Sequence, residues 1–271
     1  MLTRLGIPRL WGENPETCSW WVRLIAAPVT RLIAPSCTYG IDRVPRDGGL
    51  VVAANHFSAI DPALIGTYSP RTLYVMAKLE LLSVPFAGEA LRWVGAFAVR
   101  RGEADRDSIR VARWLARHGH AVGMFTEGTR QRLGYPGRVH PGAVLVAVQE
   151  EVPIVPCGID SFGWSLQNRR PCAVVWGDPV TLGVPRTGKG YKEGADLLEQ
   201  ELVRLWRLAA EAVAAGLPAR LPDGARRHGI VWPWQFNRHP ELPPWPVDEW
   251  AAGPLGPVYK TGDPHKELTP V

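Results

Sequence analysis

Hydrophobic positions along this chain come in two rhythms. Short, nearly unbroken apolar runs cover Leu50 to Ala54, Thr72 to Ala77, Ala96 to Arg101, Ala121 to Phe125, Val152 to Ile159 and Ala173 to Trp176. Such runs read as strands buried on both faces. Between them the spacing turns helical: Pro62 to Tyr68, Lys78 to Val94 with a break near Pro85, Arg106 to His118, Pro141 to Glu150, and Gly190 to Gly216. Strands alternating with helices predict an α/β single domain, with a central, largely parallel or mixed sheet flanked by helices. The sequence carries no internal repeat.

The two ends differ from this middle. Residues 1–18 are broken by Pro8, Gly12 and Pro15, and Ser19 to Ala34 then forms an amphipathic helix. Trp21, Leu24, Ile25, Pro28, Val29, Leu32 and Ile33 share one broad face, opposite Arg23, Ala27, Thr30, Arg31 and Ala34. That apolar face suits either a membrane interface or the protein's own core, and Pro28 should kink or split the helix. Past Leu217 proline becomes frequent and periodicity is lost, with Trp232, Trp234, Trp245 and Trp250 interspersed. The division expected is residues 1–35 as an interfacial segment, 36–216 as the main domain, and 217–271 as a Pro/Trp-rich extension, either a flexible segment or a tail wrapping over the domain; the tryptophans favour wrapping through about Trp250, with the last residues loose.

Composition narrows the partners. A formal net charge of +5 suits an anionic partner, whether nucleic acid, membrane surface, or a phosphorylated or CoA-linked substrate. Twelve tryptophans favour boundaries with one wet side, bilayer interfaces among them. The arginines Arg106, Arg110, Arg113 and Arg117 line one face of their helix and read as a solvated basic face, favoured over an anionic-lipid contact. Cys18, Cys37, Cys157 and Cys172 have no paired spacing and read as reduced thiols in a cytosolic setting. The N-terminus carries no signal-peptide h-region, and no run reaches the ~18 apolar residues of a membrane span.

The chemistry gathers at strand ends, where α/β sheets hold their ligands. The first strand delivers Asn55 and His56, and Asp61 follows just before Pro62, as a natural helix cap. An aspartate accepting from one ring nitrogen leaves the other oriented to take a proton. The strand from Gly95 delivers Arg101, and Lys78 lies just past another strand. Phe125 to Arg130, read F-T-E-G-T-R, delivers Glu127, Gly128 and Arg130. Arginine forks suit a phosphate, and glycine permits close backbone approach. Val152 to Pro156 is an apolar strand bracketed by prolines, which suits an edge or a strand entrance. His118, His120 and His140 form no metal set with Asp61 or Glu127, and nucleic acid is disfavoured because the arginines are not interleaved with aromatics.

These four blocks, in this order, resemble the four motifs of the glycerolphosphate acyltransferase superfamily, in particular its bacterial lysophosphatidate acyltransferases. Asn55-His56 through Asp61 resembles N-H-x4-D, Gly95 through Arg101 the second block, Phe125 to Arg130 the F-P-E-G-T-R block, and Val152 to Pro156 the V-P-I-[VI]-P block. Thr126 stands where the family usually has proline, and Arg100 where many members have an acidic or small residue.

The resemblance implies an O-acyltransferase moving a fatty acyl group from acyl-CoA or acyl carrier protein to 1-acylglycerol-3-phosphate. His56 would be the general base and Asp61 its orienting partner. Lys78, Arg101 and Arg130 would bind the acceptor phosphate, with Glu127 and Gly128 shaping that site, and Val152, Pro153, Ile154 and Pro156 would line the acyl-donor side. No metal and no cofactor beyond the thioester co-substrate is implied, and no G-x-S-x-G elbow is present. Ser58 therefore reads as a turn residue. The lipid substrates imply peripheral contact at the cytoplasmic face of the membrane. The same chemistry on another hydroxyl lipid (a lyso-glycolipid or lyso-aminolipid) and a catalytically silent lipid-binding protein are the competing readings.

Overall fold

The structure is a computed structural model that describes residues 16–78, 96–99 and 106–231. Residues 1–15, 79–95 and 100–105, Arg100 and Arg101 among them, and the tryptophan-rich tail from Trp232 onward lie outside the described residues.

Eight strands form one sheet: β1 (Ser36–Tyr39), β2 (Leu50–Ala54), β3 (Leu73–Lys78), β4 (Ala96–Val99), β5 (Ala121–Phe125), β6 (Ile154–Asp160), β7 (Cys172–Trp176) and β8 (Arg227–His228). Their order is β4-β3-β5-β2-β6-β7-β1-β8. The five strands from β4 to β6 run parallel. β7 opposes β6, β1 runs parallel to β7, and β8 closes the far edge antiparallel to β1. The sheet is therefore mixed, with a parallel half that carries the chemistry. Among the described residues, five α-helices cover it: α1 (Glu16–Ile33), α2 (Asp61–Tyr68), α3 (Arg106–Arg117), α4 (Gly142–Glu150) and α5 (Gly188–Ala214).

Alternation along the strands sorts the core onto the two faces. Val51 and Ala53 of β2 face α3, α4 and α5 together with Val122, Ile154, Leu198 and Leu202. Leu50, Val52 and Ala54 face the other way, with Leu64, Ile65 and Tyr68 of α2. Gly158 has a packing reason: a Cβ there would meet the backbone of Leu205 at 2.3 Å, so α5 can lie on β6 only against a glycine.

Several expectations need correction. α1 runs unbroken through Pro28, whose ring sits on the exposed side, so the hydrogen bond it removes is not a buried one. The face that α1 packs inward is its small and polar one, Ala27, Thr30 and Ala34, while Ile25, Val29 and Leu32 are exposed at 68%, 48% and 69%. The arginine face of α3 is not wholly solvated, because Arg113 and Arg117 both bind Glu150 of α4, at 2.5 and 2.7 Å. Of the two places open to the proline-bracketed block, an edge or a strand entrance, it takes the entrance. It opens β6, an interior strand between β2 and β7, and the missing N–H of Pro156 falls on the β7 side, before that ladder begins at Cys157. Finally, the chain past Leu217 stays within the same unit: Leu221 and Ala225 are buried against α5, and β8 extends the sheet. Cys37, Cys157 and Cys172 are buried free thiols.

Candidate active site

Three adjacent parallel strands end at one edge of the sheet. β2 ends in Asn55-His56, β5 in Thr126-Glu127 and β6 in Asp160-Ser161. Asn55 is fully buried, and its amide closes a two-point bond to the backbone of Ile159: Nδ2 donates to the carbonyl at 2.9 Å and Oδ1 accepts from the N–H at 2.7 Å. This extends the β2–β6 ladder by a side chain and fixes the start of the turn.

The turn then folds back on itself. Asp61 is the first residue of α2 and completely buried. Its carboxylate does not cap the helix ahead but reaches back upstream. Oδ2 accepts from His56 Nδ1 at 2.8 Å, Phe57 N–H at 2.7 Å and Ser58 N–H at 2.9 Å. Oδ1 accepts from Ser58 Oγ at 2.9 Å and from Ser161 Oγ. Five donors compensate the loss of water around a buried charge. Because a carboxylate can only accept, Nδ1 of His56 carries the proton and Nε2 is the basic nitrogen. Among the described residues, nothing hydrogen-bonds Nε2. Phe125 stacks on the imidazole, centroids 4.2 Å apart and 24° between planes, which leaves the ring no freedom to turn.

Glu127 has a different place from the one expected. It is buried, with Oε2 accepting from the His56 N–H at 2.7 Å and Oε1 from the Gly137 N–H at 2.7 Å. The Gln131 N–H donates to the His56 carbonyl at 2.7 Å. The β5 exit loop thus grips the histidine backbone at both ends, and Glu127 is the clasp of that grip, with both oxygens already taken. Burial pushes its carboxyl up to about 7, against the opposing pull of the two N–H donors. Gly128 is required by its backbone, at φ +68°, where other residues are strained.

Thr126 uses the N–H that proline would lack: it donates to the Ala54 carbonyl at 3.0 Å and prolongs the β2–β5 pairing. Arg130 is exposed, with no ion pair or hydrogen bond among the described residues. Lys78 ends β3, two strands from β2, and Arg101 lies outside the described residues. Val152 and Pro153 are half-buried and Ile154 and Pro156 buried at the opening of β6, the end of the strand opposite His56. Their evident contribution is to carry β6 through the core.

The structure thus joins His56, Asp61 and Glu127 in one network, and adds Asn55, Phe125, Ser58 and Ser161. Position at a strand's carboxyl end was the one signal that could have singled out Ser161. No cluster of three or more His, Cys, Asp or Glu suited to a metal occurs among the described residues.

Comparison with known proteins identifies the family and the fold. The acyltransferase family model matches residues 36–160. The 1-acyl-sn-glycerol-3-phosphate acyltransferase of Bacillus subtilis is 30% identical over 145 residues, spanning 52% of this chain and 72% of that protein. The 1-acyl-sn-glycerol-3-phosphate acyltransferase alpha of Mus musculus is 32% identical over 198 residues, 69% of each chain. The crystal structure of the 1-acyl-sn-glycerophosphate (LPA) acyltransferase PlsC from Thermotoga maritima shares the fold, with a TM-score of 0.54 at 19% identity, covering 71% of this chain and 81% of that one. With family match, fold and site in accord, this chain belongs to the acyltransferase family and is an O-acyltransferase.

Proposed function

We propose that the enzyme transfers a fatty acyl group from an acyl thioester, acyl-CoA or acyl carrier protein, to the free hydroxyl of 1-acylglycerol-3-phosphate, yielding phosphatidate. The observation that carries the mechanism is the buried His56–Asp61 bond, 2.8 Å long, with Nε2 left as the open nitrogen. Nε2 removes the hydroxyl proton as the oxygen attacks the thioester carbonyl. The tetrahedral intermediate collapses with cleavage of the C–S bond, and the imidazolium returns its proton to the departing thiolate. Asp61 stabilises the imidazolium throughout, so no covalent acyl-enzyme is required.

The acceptor phosphate is held by Arg130, with Lys78 and Arg101 as further cations. What supports this for Arg130 is a guanidinium that pairs with none of the described residues, on the loop that clasps His56. The names of the relatives support the choice of acceptor.

The enzyme works as a peripheral protein at the cytoplasmic membrane surface, reached through the exposed Ile25, Val29 and Leu32 of α1. Among the described residues, no helix is long and apolar enough to cross a membrane. Two loops at the same end support this reading. They expose Leu133, Tyr135 and Leu166 beside Arg132 and Arg169, the mixture of apolar and basic groups that suits anionic lipid. Trp164 ties the second loop to α1 through its bond to the Ile33 carbonyl at 3.1 Å.

The test is His56→Ala, assayed with labelled acyl-CoA and a panel of lyso-lipid acceptors. Loss of transfer by at least ~10³-fold in a folded variant is expected, with 1-acylglycerol-3-phosphate the best acceptor for the wild type. An active variant would sink the mechanism, and preference for an uncharged acceptor would sink the substrate.

A further inference from the structure

The turn that carries His56 and Asp61 is pinned to β6 at two places. One is the Asn55–Ile159 amide clasp at its start. The other is Ser161, the residue immediately after β6, fully buried, whose hydroxyl donates to Asp61 Oδ1 from 100 positions further along the chain. Among the described residues, all other donors to Asp61 come from the turn itself, His56, Phe57 and Ser58. Ser58 Oγ lies 2.9 Å from both Asp61 Oδ1 and Ser161 Oγ, so its single proton has two acceptors. The Ser161 proton has one, Asp61.

We infer that Ser161 is a positioning residue of the acyl transfer, acting through Asp61 to hold His56 in aim and to moderate its basicity. The carboxylate divides its two oxygens: Oδ2 serves the imidazole and the turn's N–H groups, and Oδ1 is loaded by hydroxyls. A hydroxyl on Oδ1 draws negative charge away from Oδ2. Its removal leaves a carboxylate that stabilises imidazolium more strongly, while the turn loses its second pin. Basicity and rate therefore move in opposite directions, which a merely structural serine would not produce. The other titratable groups around Asp61 are Glu127 from the β5 exit, Asp160 and Cys157 of β6, Cys172 of β7, and Arg170, which pairs with Asp160 at 3.3 Å. A change at Ser161 leaves all of them in place.

The inference rests on His56 as the base, and the experiment separates the two. His56 is titrated by NMR in histidine-labelled full-length wild type, Ser161→Ala, Ser161→Cys and Ser161→Thr, with His56→Ala assigning the signal, and acyl transfer is measured across pH. In Ser161→Ala the His56 midpoint rises by about half a pH unit. The kcat falls roughly 5- to 50-fold while the acceptor KM stays within about twofold. Threonine, which keeps a hydroxyl donor, restores both. Cysteine keeps the volume but donates weakly, so it behaves like alanine and guards against a packing artefact. An unchanged His56 midpoint in both Ser161→Ala and Ser161→Cys, or a change in KM alone, overturns the role of Ser161. An active His56→Ala variant overturns the general-base reading, whatever the titration reports.

Discussion

Asp61→Asn isolates the charge of the pair from its shape. The amide keeps the size of the carboxylate, and one orientation keeps most of its contacts. With the amide oxygen in the place of Oδ2, the three donors His56 Nδ1, Phe57 N–H and Ser58 N–H are still accepted. The amide NH2 then faces two hydroxyls, Ser58 and Ser161, which can rotate to accept. The imidazole tautomer is therefore retained, and what disappears is the negative charge beside a developing imidazolium. For unit charges about 4 Å apart at an effective dielectric of ~20, that attraction is about 4 kcal/mol. At ~1.4 kcal/mol per decade, kcat should fall roughly a thousandfold.

Stability should fall far less. Bonds to a charged group contribute about 1 kcal/mol more than neutral ones, so weakening five of them is offset in large part by no longer burying a charge. A net loss of about 1–3 kcal/mol is expected. The assay is single-turnover acyl transfer beside urea unfolding of the same preparation. Because Asp61 acts only through His56, the double variant His56→Ala/Asp61→Asn should be no slower than His56→Ala alone. Retention of more than a tenth of the wild-type kcat by folded Asp61→Asn would refute the reasoning.

Glu127 predicts a pH dependence of stability. Its folded carboxyl is raised from 4.5 to about 7, so protonation favours the fold. This stability is fully present below about pH 4.5 and is lost as pH rises through 7, at most about 3 kcal/mol. Glu127→Gln removes the titration. Unfolding free energies from pH 4.5 to 8 should show wild type gaining on the variant as pH falls, and parallel curves would count against it. Arg130→Ala should raise the acceptor KM about tenfold or more with kcat within a few-fold, and a defect confined to the thioester KM would reassign the arginine. Ile25→Glu with Leu32→Glu should cut sedimentation with phosphatidate-containing vesicles at least tenfold while preserving activity on a detergent-dispersed acceptor. Undiminished sedimentation would move the contact away from α1.

Much of the parallel half of the sheet was legible because each of its strands is a buried apolar run with an obvious end. The edge is where the pattern failed. β8 is two residues long, and it pairs with β1 from nearly 190 positions away in the chain. A strand so short has no period to read, which is why the pattern alone places the chain past Leu217 in an extension over the domain and not in its sheet. The amphipathic division of α1 was legible too, but the period alone does not say which side the protein covers. Small side chains decided it: Ala27, Thr30 and Ala34 allow close packing, and the larger Ile25, Val29 and Leu32 are left outside.

In the site, the split between legible and hidden follows sequence distance. His56 and Asp61 are five residues apart and the turn between them is self-contained, so local chemistry predicts their bond. Glu127, Asn55 and Ser161 act across strands, and their partners are backbone groups or a carboxylate at another strand's exit. A glutamate with both oxygens bound to N–H groups differs in no residue type from one aimed at a ligand. Only the β2–β5 and β2–β6 registers separate the two. The same registers give the grip its direction: Glu127 and Gln131 fix the histidine backbone from the β5 side, while Asn55 and Ser161 fix the turn from the β6 side. A base held from both neighbouring strands has little freedom beyond taking up a proton at Nε2, so substitutions at Asn55, Glu127 and Ser161, which anchor it through their side chains, should act on kcat before they act on substrate binding.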